Sequence, residues 1–195
     1  SHYTFNEFTR MYPRLDLSSY FIFCFVRNPW SRAVSTYKHH QQNDYFITKA
    51  SDDRIIEARN WTFDKFLKLE WIVMPSQWEM MTLNDRLIVN HIGKIEKFRD
   101  DLKTIFNILK INISDEIYNI RLHDSKNHKY ARPEMNDRTS WHYSWWYNDE
   151  QIQYVYNRSK KEIDFLGYTF EDKRHEMPAE LREQYSRENI IYNET

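Results

Sequence analysis

Glycine is nearly missing from this chain, with two in 195 residues, beside five prolines and a single cysteine. So few breakers exclude collagen-like and low-complexity architectures, and no segment repeats at a fixed period. The lone cysteine, Cys24, excludes an intrachain disulfide and favours a reducing compartment, so a cytoplasmic setting is expected. Four Asn-x-Ser/Thr sequons, at Asn60, Asn112, Asn157 and Asn193, suit the alternative, a Golgi lumen reached through an anchor upstream of Ser1. In a chain this rich in Asn, Ser and Thr, chance accounts for most of them. No apolar run reaches the roughly 20 residues that span a bilayer. An excess of one charge is also missing: 28 Lys plus Arg stand against 29 Asp plus Glu. No global field therefore draws the protein to nucleic acid or to an acidic membrane, and any anion site must be local.

What the chain does hold is aromatic and apolar surface, 17% and 41% of its residues, enough for one sizeable core. Thr4 and Glu7 stand in capping-box spacing at the head of a helix over 4–11 that ends before Pro13. Residues 20–26 form an unbroken apolar run with Phe at 21, 23 and 25, which predicts a central strand buried on both faces of a parallel sheet. Arg27-Asn28-Pro29 breaks it, and a helix over 32–40 follows. Further helices are expected over 62–71 and 98–109, with a strand over 87–95 between them, and residues 112–141 read as loop. Asn148, Gln151 and Gly167 bound a long amphipathic helix. The charged stretch 171–195 is expected to be a peripheral tail in which Pro178 opens one more short helix.

Alternating strands and helices imply an α/β layered domain, whose ligands sit at the carboxyl ends of strands. Arg27 lies at that end of the most apolar strand. A guanidinium can meet a phosphate through two parallel charge-assisted bonds, and the following helix N-terminus adds backbone N–H groups. Ser35 and Arg32 share a face of that helix, so all three can address one anion. Taken singly, each is more often an ordinary surface residue.

The run Phe25-Val26-Arg27-Asn28-Pro29-Trp30-Ser31-Arg32-Ala33-Val34-Ser35-Thr36-Tyr37 closely resembles the 3′-phosphate-binding motif of the carbohydrate-acting (family 2) branch of the sulfotransferase superfamily. Three further stretches are similar to that family in order and spacing: the loop at Gln77, the strand Asn90-His91-Ile92-Gly93-Lys94-Ile95-Glu96, and residues 154–168. Lys94 stands where the family usually has Arg, and Leu166-Gly167-Tyr168 where it has Phe-Gly-Tyr. The resemblance implies a P-loop-NTPase-like α/β fold, a mostly parallel sheet flanked by helices, over residues 1–170. It implies that Arg27 and Ser35 hold the 3′-phosphate of 3′-phosphoadenosine 5′-phosphosulfate, a co-substrate used without a metal. The family's opening strand and its Lys-bearing 5′-phosphosulfate loop are expected upstream of Ser1, so the domain is expected to be N-terminally truncated here.

The same resemblance places His2 as the base that takes the acceptor's hydroxyl proton, a task suited to a group titrating near neutrality. Arg32, Ser125 and Lys126 are further donor-binding candidates, and Gln77, Lys94 and Trp145 candidates for the acceptor, expected to be a saccharide. Gly93, Glu96 and Tyr168 are expected to serve the fold. The aromatic cluster at 141–147 could stack on sugars, but packing is the commoner use of such rings. The histidine pairs His39/His40 and His123/His128 lack a cysteine or carboxylate to complete a metal set. Two alternatives stay open: a catalytically inactive module that binds the 3′-phosphoadenosine, and a P-loop nucleotide kinase. The kinase lacks its Gly-x-x-x-x-Gly-Lys-Ser/Thr here.

Overall fold

The computed structural model describes residues 3–42, 61–72, 74–114 and 141–183. Helix α1, Phe5–Met11, begins on a reciprocal cap: Thr4 Oγ1 accepts the Glu7 N–H at 3.3 Å, and Glu7 Oε2 accepts the Thr4 N–H at 2.7 Å. A 3₁₀ turn at Leu17–Ser19 leads into strand β1, Phe23–Val26, shorter than the run of seven apolar residues suggests. The expectation of burial on both faces fails at its start. Among the described residues β1 has one neighbouring strand, so Phe23 stays 41% exposed, while Val26 at the other end is 1% exposed.

Helix α2, Pro29–Gln42, starts earlier than its apolar periodicity indicates. The reason is Asn28, whose Oδ1 accepts the N–H groups of Trp30 at 3.1 Å and Ser31 at 3.3 Å. Pro29 fits the first helical position, where no N–H is needed. Helix α3, Phe63–Phe66, runs on as a π-helical turn, Leu67–Trp71, and together they fill the helix expected over 62–71. Helix α4, Gln77–Met81, carries a second reciprocal cap, between Ser76 and Glu79. Strands β2, Thr82–Leu83, and β3, Arg86–Leu87, then form a hairpin. Its turn residues Asn84 and Asp85 have φ of 50° and 62°, the pair of positive values that a two-residue hairpin turn requires.

That hairpin takes the front of the strand expected over 87–95, leaving β4 as His91–Lys94. β4 lies parallel to β1 with Phe23 opposite His91 and Val26 opposite Lys94. Parallel pairing demands a long crossover, supplied here by the helices between the two strands. Gly93 sits where β4 passes Phe25: a Cβ there would lie 2.5 Å from the Phe25 ring. Helix α5, Phe98–Ile108, packs back on β4, and the long helix α6, Asp149–Leu166, runs between its Asn148–Gln151 cap and Gly167, whose φ is 68°. Ser159 interrupts α6 with φ −108° and ψ 17°, a kink within the helix.

The main core joins α2 to α3, α6 and the 3₁₀ turn Tyr143–Trp146, through Trp30, Tyr37, Phe66, Trp146, Val155 and Ile163. Each such side chain contributes on the order of 1.5–3 kcal/mol through burial. Most of the aromatic cluster is thus spent on packing: Trp141, Trp146 and Tyr147 are all buried. A smaller cluster of Val26, Met81 and Val89 fixes β1 against α4. The stretch expected to be a peripheral tail is tied down at its start. Glu171 N–H donates to Tyr143 Oη and Lys173 N–H to Ser144 Oγ, and Met177 is buried. A mixed α/β chain with a small parallel sheet is the observed class. Among the described residues no helix is long and apolar enough to cross a membrane.

Candidate functional site

The junction of β1 and α2 is held from three sides. Gln77, buried at the head of α4, clamps the backbone of Arg27: its Oε1 accepts the Arg27 N–H at 2.7 Å and its Nε2 donates to the Arg27 carbonyl at 2.8 Å. From the far end of β4, Glu96 Oε1 accepts the Asn28 N–H at 2.7 Å, while its Oε2 accepts the Tyr168 hydroxyl at 3.1 Å. From the end of α6, the Thr169 carbonyl accepts Asn28 Nδ2 at 2.9 Å. Every element end that meets this loop therefore contributes one restraint, and the loop needs no glycine to hold its shape.

On that frame Arg27 donates its Nε to Ser31 Oγ at 2.9 Å. Its two terminal nitrogens make no hydrogen bond or ion pair among the described residues. Burial pulls the guanidinium below its ordinary value, and the charge of Glu96 only partly offsets this. Ser35 follows one helical turn after Ser31, partly buried, with a hydroxyl that also has no partner among the described residues. Lys38 comes three residues later on the same face, with its Nζ 5.2 Å from the centre of the Trp146 ring. Burial, and then the charge of Arg27, push its amine down to about 8. The result is a stripe of donors, Arg27, Ser31, Ser35 and Lys38, that is desolvated and bonded to no carboxylate among the described residues.

The helix N-terminus itself takes less part than the sequence suggests. The Trp30 and Ser31 N–H groups are already satisfied by Asn28, and Pro29 has none, so side chains are left to meet an anion. Arg32 is engaged elsewhere: its Nη2 donates to the Pro75 carbonyl at 3.0 Å and its guanidinium lies 5.0 Å from the centre of the Trp71 ring. The candidates for an acceptor site are not brought together. Gln77 is occupied by the Arg27 backbone, Lys94 Nζ donates to the Leu166 carbonyl at 2.8 Å over the Tyr168 ring, and Trp145 Nε1 donates to the Lys173 carbonyl at 2.8 Å. All three side chains tie one segment to another. His2, Ser125 and Lys126 lie outside the described residues.

Cys24 is a poor nucleophile, its thiol pushed up to about 11 by burial. A groove of about 440 Å³ runs beside α4 and α6, but the charges along it are matched internally. Lys161 meets Asp85 at 2.8 Å and Arg158 meets Glu79 at 3.6 Å. The Gln77 clamp and the position of Lys38 are what sequence reasoning missed. For Lys38 a signal existed, the spacing of 31, 35 and 38 along one helical face. For Gln77 there was none, because its partner lies 50 residues away.

A family model described as "Sulfotransferase family" matches residues 1–169 of the chain. An uncharacterized protein of Archaeoglobus fulgidus is 27% identical over 116 residues, which is 58% of this chain and 84% of that one. No solved structure matches.

Proposed function

The chain belongs to the sulfotransferase family, and we propose that it moves a sulfuryl group from 3′-phosphoadenosine 5′-phosphosulfate to a hydroxyl, with a saccharide as acceptor. One observation carries this reading: the Arg27 guanidinium is desolvated at the carboxyl end of a parallel strand, its terminal nitrogens unpartnered among the described residues. A partly buried charge is costly unless something pairs with it. A dianionic phosphate supplies that pair, taking two bonds from Arg27 and one from the Ser35 hydroxyl. Gln77, Asn28 and Glu96 act through Arg27 by fixing the backbone from which it reaches.

In the transfer, a base removes the proton of the acceptor hydroxyl as its oxygen attacks sulfur. The bond between sulfur and the 5′-phosphate oxygen breaks in line, and 3′-phosphoadenosine 5′-phosphate departs. His2 is the base in this reading, with Ser125 and Lys126 as further contacts to the nucleotide. A 3′-phosphate held at a fixed point serves this chemistry by orientation, placing the scissile bond for attack.

Calorimetry with 3′-phosphoadenosine 5′-phosphate tests the reading. Replacing Arg27→Ala together with Ser35→Ala is expected to weaken binding about 100-fold, since charge-assisted bonds to a phosphate are among the strongest available. Unchanged affinity in the double variant would remove the proposed site.

A further inference from the structure

We propose that Lys38 is an additional ligand for the 3′-phosphate, completing with Arg27 and Ser35 a three-sided anion site along one face of α2. The inference rests on the reading of Arg27 and Ser35 given above and adds a residue to it. Ser31, Ser35 and Lys38 are spaced four and three residues apart, so they stack on one face, and Arg27 is bound to the first of them. The Lys38 stem is packed rather than splayed into solvent, with its ammonium over Trp146, a residue of the buried core.

Among the described residues, the charged and titratable groups of the elements packed against α2 are engaged elsewhere. On α3, Asp64 pairs with Lys68 at 2.8 Å and Lys65 lies over Trp61. On the 3₁₀ turn, Tyr143 accepts the Glu171 N–H. On α6, the charges of Glu162 and Arg158 act on Arg32. On α2 itself, Arg27 repels Lys38, and no carboxylate acts on it among the described residues. Two neighbouring, desolvated cations are held in place with no carboxylate bonded to either side chain among the described residues, and a phosphate dianion relieves both the repulsion and the lost hydration.

A pH dependence follows. Without ligand the Lys38 amine titrates near 8, and a bound dianion raises it. The complex then holds more protons than the free protein above that pH, so affinity falls as pH rises. The phosphate's own second ionisation, near 6, is complete throughout this range.

The test is calorimetry of the full chain with 3′-phosphoadenosine 5′-phosphate at pH 7 and pH 9.5, on wild type, Lys38→Met and Arg27→Ala. Wild type is expected to bind about tenfold more weakly at pH 9.5 than at pH 7. Lys38→Met, which keeps an apolar stem on Trp146, is expected to lose about tenfold at pH 7 and to show no pH dependence. A variant with wild-type affinity at both pH values overturns the inference. So does one that loses affinity but keeps the wild-type pH dependence, because that is the signature of a packing role. Arg27→Ala separates the two readings. If it abolishes binding while Lys38→Met binds normally, the lysine alone is misassigned; if neither variant changes affinity, the phosphate site itself is wrong.

Discussion

Arg27 and Arg32 are five residues apart, flank the same helix turn, and are both desolvated, yet the fold treats them in opposite ways. Arg32 finds acceptors in the protein: the Pro75 carbonyl, the face of Trp71, and the negative charge of buried Glu162. Arg158 reinforces that side, donating to the carbonyls of Ile72 and Met74, so two guanidinium groups together staple the end of the π-helical turn. Arg27 is given a rigid backbone, the charge of Glu96 at a distance and, among the described residues, Ser31 alone as a hydrogen-bond partner for its side chain. A cation set among a carbonyl, an aromatic face and a counter-charge stabilises the fold, whereas one whose terminal nitrogens have no partner among the described residues is the one we propose meets the phosphate.

The strongest way to break that contrast is to disturb the Arg32 side. Glu162 is wholly buried, with Oε2 accepting the Trp78 N–H at 3.1 Å. Glu162→Ala would orphan that N–H, open a cavity and strip Arg32 of its counter-charge. A loss of about 3–5 kcal/mol in urea unfolding is expected, with nucleotide affinity of the remaining folded protein close to wild type. If affinity collapses while stability holds, the two sides are not separate.

A smaller effect is expected at the link between frame and site. Gln77→Ala leaves both the N–H and the carbonyl of Arg27 without their partner, at a cost of about 1–3 kcal/mol. Because Arg27 then loses its fixed origin, binding of 3′-phosphoadenosine 5′-phosphate should also weaken, by about tenfold. Denaturant melts and calorimetry on one preparation measure both. A purely structural glutamine would move the first and leave the second alone.

The smallest effect sharpens the unsatisfied side. Lys38 titrates near 8 in the folded protein, below the ordinary lysine value it regains on unfolding. Between those two values the unfolded state binds more protons, so this group makes the empty protein more stable as pH rises from about 8 to about 10.5. The gain, on the order of 1–3 kcal/mol, should be missing from Lys38→Met when the two are compared by unfolding across that range. Equal slopes would mean that Lys38 is not strained in the empty site.

Much of the scaffold was legible from local sequence. The Thr4–Glu7 cap and the helix from Asn148 to Gly167 depend on contacts within a few residues and stand where their patterns predict, and the strand-loop-helix unit around Arg27 is present with a shorter strand and an earlier helix start. The hairpin at 82–87 was not, because Asn84-Asp85 lacks the glycine that normally signals such a turn. The candidate site was half legible. Arg27 and Ser35 were marked as candidates by their places at the strand end and along the helix and by the motif they resemble, but the uses of Gln77, Lys94 and Trp145 depend on partners 28 to 72 residues away.

The sequence alone determined that an arginine would end an apolar strand and that serines would follow on one face of a helix, because backbone periodicity and proline geometry act over a turn or two. Only the tertiary structure decided which cations stay unpaired among the described residues. Pairing depends on which distant carbonyls and carboxylates are brought alongside, and for Arg27, Arg32 and Lys38 those are set by the packing of α3, α4 and α6 around α2.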